Sequence, residues 1–148
     1  MCGVNFWTFA VLMVCLARSS VHAGLTKEEI ATMLDITKPH LEECSKEHGV
    51  SLDNLKEIED ETNENFSCFM SCFLKKIEVF DEKGIFDPKK SKENARSFIK
   101  NEETLTLFDK VADECSKVND AEVSDGIEGC ERAKLLSDCW KEHLGKLM

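Results

Sequence analysis

Cysteine, histidine and a dense set of phenylalanines are the residues of this chain whose types could carry chemistry. The eight cysteines are Cys2, Cys15, Cys44, Cys68, Cys72, Cys115, Cys130 and Cys139. A thiolate can attack, bind a metal or oxidise to a disulfide, and the compartment decides among these. Histidine could ligate a metal, but His40, His48 and His143 show no His-Glu-x-x-His or comparable spacing. Each stands among charged residues and reads as solvated. Ser124-Asp125-Gly126 has the outline of a calcium loop, yet Ala121 at the first ligand position offers no oxygen, so the segment reads as a turn. Gly49-Val50-Ser51-Leu52-Asp53 misses the nucleophile-elbow pattern at its last position. No base–nucleophile set is otherwise visible. The expectation is a protein with no catalytic residues, no metal and no cofactor.

The compartment is read from the first residues. Phe6 to Ala17 is a twelve-residue apolar run, and Val21 and Ala23 suit the −3 and −1 positions of a signal-peptidase site. Such a run is too short to span a bilayer of roughly 30 Å as a helix. Residues 1–23 therefore read as a secretory signal, with one domain over 24–148. Cleavage would remove Cys2 and Cys15 and leave six cysteines in an oxidising compartment, which predicts three disulfides. No later apolar run reaches spanning length, so no stable membrane association is expected. The formal charge of −10, from 19 Lys plus Arg against 29 Asp plus Glu, disfavours nucleic acid and anionic membrane surfaces as partners.

The elements that would position these residues are helical. Thr26-Lys27-Glu28-Glu29 has the capping-box form, with Ile30, Met33, Leu34, Leu41 and Cys44 on an apolar face behind it. Pro39 is expected to kink or split this helix, and Gly49 to end it. Ser51 opens a short second helix with Leu52, Leu55 and Ile58. Phe66, Phe69, Met70, Phe73, Leu74, Ile77 and Phe80 form the widest stripe, on a third helix broken by Lys83-Gly84. Asp87-Pro88 places an N-cap before a proline at the first helical position and opens a fourth, with Ala95, Phe98 and Ile99. A fifth carries Leu105, Phe108, Val111, Ala112, Cys115 and Val118. A sixth carries Ile127, Cys130, Leu136, Cys139, Trp140, Leu144 and Leu147. The predicted class is all-α, six helices, with no strand.

Six cysteines allow 15 pairings. Cys68 and Cys72, at i and i+4, project the same way and should seek separate partners. Cys130 and Cys139 lie roughly 13 Å apart along one helix and cannot pair. Ten pairings survive these two exclusions, and local geometry goes no further. Any of them ties the third and sixth helices to other segments. A shell so cross-linked can keep an internal cavity that an unlinked domain would tend to fill.

The spacing Cys44-x23-Cys68-x3-Cys72-x42-Cys115-x14-Cys130-x8-Cys139 closely resembles that of the six-cysteine insect odorant-binding proteins, the pheromone and general odorant-binding family. Lys83-Gly84-Ile85-Phe86 and an aromatic directly after the last cysteine are similar to that family too. The resemblance implies the pairing Cys44–Cys72, Cys68–Cys130 and Cys115–Cys139, and six helices around an internal hydrophobic pocket. It implies pocket residues Ile30, Met70, Leu74, Val79, Phe80, Phe86, Phe108, Ala112, Leu136 and Trp140. Several family members hold a ligand alcohol through Ser or Thr where this chain has Met70, Leu74 and Val79. The resemblance therefore implies a larger, mainly apolar or aromatic ligand rather than a short-chain alcohol.

Two functions follow as expectations. The first is a secreted, extracellular carrier that takes up a small hydrophobic molecule, such as an odorant or pheromone, and delivers it to an odorant receptor without chemistry, as a monomer or homodimer. The second is a secreted helical scaffold that acts through a protein partner, with ligand binding incidental. The Phe stripe alone is more often core than pocket, so the choice rests on the cysteine frame and on whether the centre is hollow.

Overall fold

The computed structural model describes residues 24–54 and 64–144. The proposed signal segment, and Leu55, Ile58 and Leu147 of the apolar stripes, lie outside the described residues. The fold is all-α, with five α-helices and three 3-10 turns among the described residues. We number the α-helices α1 (Lys27–His48), α2 (Glu64–Lys76), α3 (Pro88–Phe98), α4 (Glu102–Cys115) and α5 (Cys130–Leu144).

Helix α1 begins with the capping box. Glu29 N donates to Thr26 Oγ1 at 3.1 Å, and Thr26 N donates to Glu29 Oε2 at 2.8 Å. It ends at Gly49, whose left-handed φ of 64° suits a residue without Cβ. Pro39 does not split it; the helix runs unbroken past the proline. Pro39 and Asp35 are both exposed, so the carbonyl freed by the missing N–H faces water and the break has little driving force. The second predicted helix is seen as a 3-10 turn, Leu52–Asn54, at its start.

Helix α2 stops earlier than the Phe stripe suggests, at Lys76. Glu78 takes a φ of 60°, Val79 N reaches back to Leu74 O at 2.9 Å, and Glu78 N to Lys75 O at 3.0 Å. This is a Schellman ending without its usual glycine. Val79 and Phe80 thus leave the helix, and Phe80 meets Phe86 in an isolated antiparallel bridge. Asn119 then clamps Phe86 by both backbone groups, accepting from its N–H at 2.9 Å and donating to its carbonyl at 2.8 Å.

Helix α3 starts as expected, with Asp87 accepting from Lys90 N at 3.0 Å and Pro88 in the first turn. Arg96 grips Asp109 through two hydrogen bonds of 3.0 and 2.6 Å, which lays α3 along α4. Three disulfides brace the helices: Cys44–Cys72 joins α1 to α2, Cys68–Cys130 joins α2 to α5, and Cys115–Cys139 joins α4 to α5.

The buried residues form three separate clusters rather than one centre. The largest packs Leu74, Phe80, Phe86, Val111, Ala112 and Leu136 between α2, α4 and α5. A second surrounds Cys44, Val50 and Phe69, and a third Ala95, Ile99 and Leu105. Between the largest cluster and the α1 and α3 walls the apolar side chains do not meet.

Candidate functional site

That gap is a cavity of about 490 Å³. Helix α1 lines it with Met33, Leu34, Ile36, Thr37, His40 and Leu41. Met70, Phe73 and Leu74 of α2 form the facing wall, continued by Ile77 and Val79. Helix α3 adds Ser91, Asn94, Ala95, Ser97 and Phe98; α4 adds Phe108 and α5 adds Trp140. The wall is mostly hydrocarbon, and the size falls within the roughly 300–1,000 Å³ common for small-molecule sites. Leu34 and Ile36 line it yet are 48% and 53% exposed, so the cavity opens to solvent along α1.

Of the ten pocket positions implied by the cysteine frame, Met70, Leu74, Val79, Phe108 and Trp140 stand at this wall. Phe80, Phe86, Ala112 and Leu136 do not; they are buried in the large cluster one layer behind it. Phe80 and Phe86 pair with each other after α2 ends, which draws both away from the wall. Ile30 lies near the start of α1, a turn before the first lining residue Met33, and is 39% exposed. His40, read from sequence as solvated, is instead half-buried at the wall. The α3 residues were missed altogether. Ser91, Asn94 and Ser97 are polar, and their i, i+3 spacing marks one helix face without saying that it faces a cavity.

Trp140 links wall and core. Its ring meets Phe86 edge-on, with centroids 6.2 Å apart and planes at 85°. Its Nε1 is buried and has no hydrogen-bond partner among the described residues. Because Asn119 fixes the Phe86 backbone, the indole rests on a rigid platform.

The start of α1 is held by a carboxylate. Glu29 is 7% exposed, and its Oε1 accepts from the backbone N–H of Lys100 at 2.7 Å, across from α1 to the α3–α4 junction. The Lys100 amide first, then the Thr26 amide, hold the Glu29 carboxyl below its usual range. Among the described residues, two side-chain clusters have the proximity to hold a metal, Cys115–Cys139–His143 and Glu47–His48–Cys72. Their cysteines are consumed in disulfides, which leaves no thiolate in either to bind an ion. No helix among the described residues is long and apolar enough to cross a membrane.

Comparison with known proteins converges on one family. The model of the PBP/GOBP family matches residues 26–143. Odorant-binding protein 10 of Aedes aegypti is 22% identical over 151 aligned positions, covering 97% of this chain and 95% of that protein. The solved structure of an odorant-binding protein from Drosophila melanogaster superposes with a TM-score of 0.60 at 23% identity, over 78% of this chain and 94% of that one. At that identity the likeness is one of fold.

Proposed function

The chain belongs to the PBP/GOBP family, and from that premise we propose that it is a secreted carrier which takes one small hydrophobic molecule into the α1–α2–α3 cavity and releases it unchanged. The observation that carries this reading is a hydrocarbon-lined space of about 490 Å³ inside a shell held by three disulfides. The odorant-binding relatives support odorants as the cargo class; pheromones or similar semiochemicals as cargo, and an odorant receptor as the point of delivery, are part of the proposal. An extracellular fluid as the setting agrees with three disulfides. Residues 1–23 serve as the secretion signal in this proposal. No step of chemistry is included, because binding and release make and break no covalent bond.

Affinity in such a site comes from buried apolar area, at about 25 cal/mol per Å² before ordering costs. We place the contacts on Met70, Leu74, Val79, Phe108 and Trp140, with Phe73, Ile77 and Phe98 beside them. Phe80, Phe86, Ala112 and Leu136 act as the packed layer that keeps those side chains in position. Titrating the disulfide-bonded protein with an apolar fluorescent probe tests the proposal. Saturable one-to-one uptake, displaced by volatile or lipid-like molecules, is the expected outcome.

The scaffold alternative has one observation in its favour. Leu25, Ile30, Leu34 and Ile36 are 38–53% exposed along one stretch of chain. A correctly folded sample without saturable uptake would shift the function to that surface and to a protein partner.

A further inference from the structure

The polar side chains at the cavity wall are not equivalent. The Thr37 hydroxyl is spent on Met33 O at 2.7 Å, and the Ser97 hydroxyl on Asn94 O at 2.6 Å. Asn94 donates from Nδ2 to Ile77 O at 2.7 Å. Ser91 differs. It is 3% exposed, it lines the cavity, and its hydroxyl makes no hydrogen bond to any described residue.

A helical serine in an apolar setting ordinarily turns its hydroxyl back onto the carbonyl four residues earlier. Thr32, Thr37 and Thr106 do so in α1 and α4. For Ser91 that carbonyl belongs to Asp87, and it takes only the Ser91 backbone N–H, at 3.0 Å. A hydroxyl that faces an apolar cavity without a protein partner costs stability. Ala95, one turn on and 1% exposed, shows that a bare methyl packs on this face. The fold thus gives the Ser91 oxygen no partner among the described residues and leaves it at the cavity wall.

We propose that Ser91 is a specificity-determining binding residue, whose hydroxyl hydrogen-bonds the single oxygen function of an otherwise apolar ligand. The cargo class is then narrower than hydrophobic molecules at large: an aliphatic or terpenoid body carrying one alcohol or carbonyl. Asn94 stands three residues on, and its Oδ1 has no partner among the described residues. A ligand hydroxyl can donate to Asn94 Oδ1 while accepting from Ser91 Oγ, whereas a ketone can only accept. The hydrocarbon body lies against Met70, Phe73, Leu74 and Trp140 on the facing wall. The hydroxyl missing at Met70, Leu74 and Val79 is thus supplied from the opposite side, by α3. This assignment rests on the cavity being the ligand site.

The test is displacement of N-phenyl-1-naphthylamine from disulfide-bonded wild type, Ser91→Ala and Ser91→Cys by 1-decanol, 2-decanone and decane. Comparing each ligand with itself across the proteins cancels its own hydration. For Ser91→Ala we expect decanol and decanone to weaken about five- to tenfold, the worth of one net hydrogen bond, with decane unchanged. Ser91→Cys keeps the side chain's shape, loses the strong donor, and should follow Ser91→Ala. A loss for both oxygenated ligands means that Ser91 donates; a loss for decanol alone means that it accepts. An equal response of all three ligands, including none, overturns the assignment while leaving the carrier reading intact. Failure of the probe to bind wild type overturns both.

Discussion

Trp140 joins two jobs that substitutions can separate. It gives the cavity a large flat wall, and it rests edge-on against Phe86. Its Nε1 has no hydrogen-bond partner among the described residues, so ring and N–H can be tested separately. Trp140→Ala should raise the Kd for an apolar probe at least about tenfold, since truncating a large buried aromatic removes several kcal/mol of contact. Trp140→Phe should lose less than threefold in the same titration; a loss as large as for alanine would mean that the N–H binds cargo. A tighter constraint lies behind the wall. Gly129 has a φ of +73°, and a Cβ there would stand 2.9 Å from Ser71 Oγ and 3.1 Å from Gly84 Cα. Gly129→Ala should therefore lower unfolding stability by about 1–3 kcal/mol, combining left-handed strain with overpacking. The shift of the denaturation midpoint measures it, and an unchanged midpoint would mean that the Gly84–Gly129 contact is not needed. Lys83-Gly84 was readable as a break. That Gly84 packs on the backbone of a residue 45 positions later was not, because proximity across the fold leaves no mark in local pattern.

Among the elements, α1 is the wall most open to adjustment. It supplies six of the lining residues and carries the cavity mouth. Its N-terminus is fastened by Glu29, which accepts from Thr26 within the capping box and from Lys100 outside it. The box was legible from four consecutive residues; the Lys100 bond was not, since it depends on where the α3–α4 junction comes to rest. The end of α2 was also misplaced by the sequence, because Glu78 takes the left-handed position that glycine usually marks. The Glu29 carboxyl is held below its usual range by those two amides, so the folded state binds its proton more weakly than the unfolded chain. Its stabilising contribution is then complete above the ordinary carboxylate range and is lost as pH falls through the depressed value. Glu43 beside Lys76, Glu78 beside Lys90 and Glu131 beside Ser124 are shifted the same way and add to the trend. Thermal melts from pH 7 to pH 3 should show falling stability. Glu29→Gln should melt below wild type at pH 7, with the gap closing toward pH 3. A gap that stayed constant would assign the loss to packing rather than to the charge.

For the whole molecule, the question is how a small helical protein keeps a hollow centre. Helix class, the helix starts capped by Thr26 and Asp87, and the cross-linked character were legible in the sequence, because capping residues, apolar period and cysteine spacing are local signals. The place of the cavity was legible only on its α2, α4 and α5 sides. The α1 and α3 walls depend on how two amphipathic helices are hung from the rest, through Cys44–Cys72, Glu29–Lys100 and Arg96–Asp109. The disulfides offer a matched comparison of stability against function. Cys44–Cys72 and Cys115–Cys139 span 28 and 24 residues, so their chain-entropy contributions differ by only about 0.1 kcal/mol. Removing either as a double alanine variant should cost about 3–4 kcal/mol of unfolding stability. Their effects on binding should diverge. Cys44–Cys72 tethers the wall that supplies six cavity residues, whereas Cys115–Cys139 lies within the solid cluster of α4 and α5. At a temperature where both variants remain folded, loss of Cys44–Cys72 should weaken probe uptake several-fold, and loss of Cys115–Cys139 should leave it within twofold of wild type. Equal weakening in both would mean that the cavity depends on global stability alone, and that α1 is not its adjustable wall.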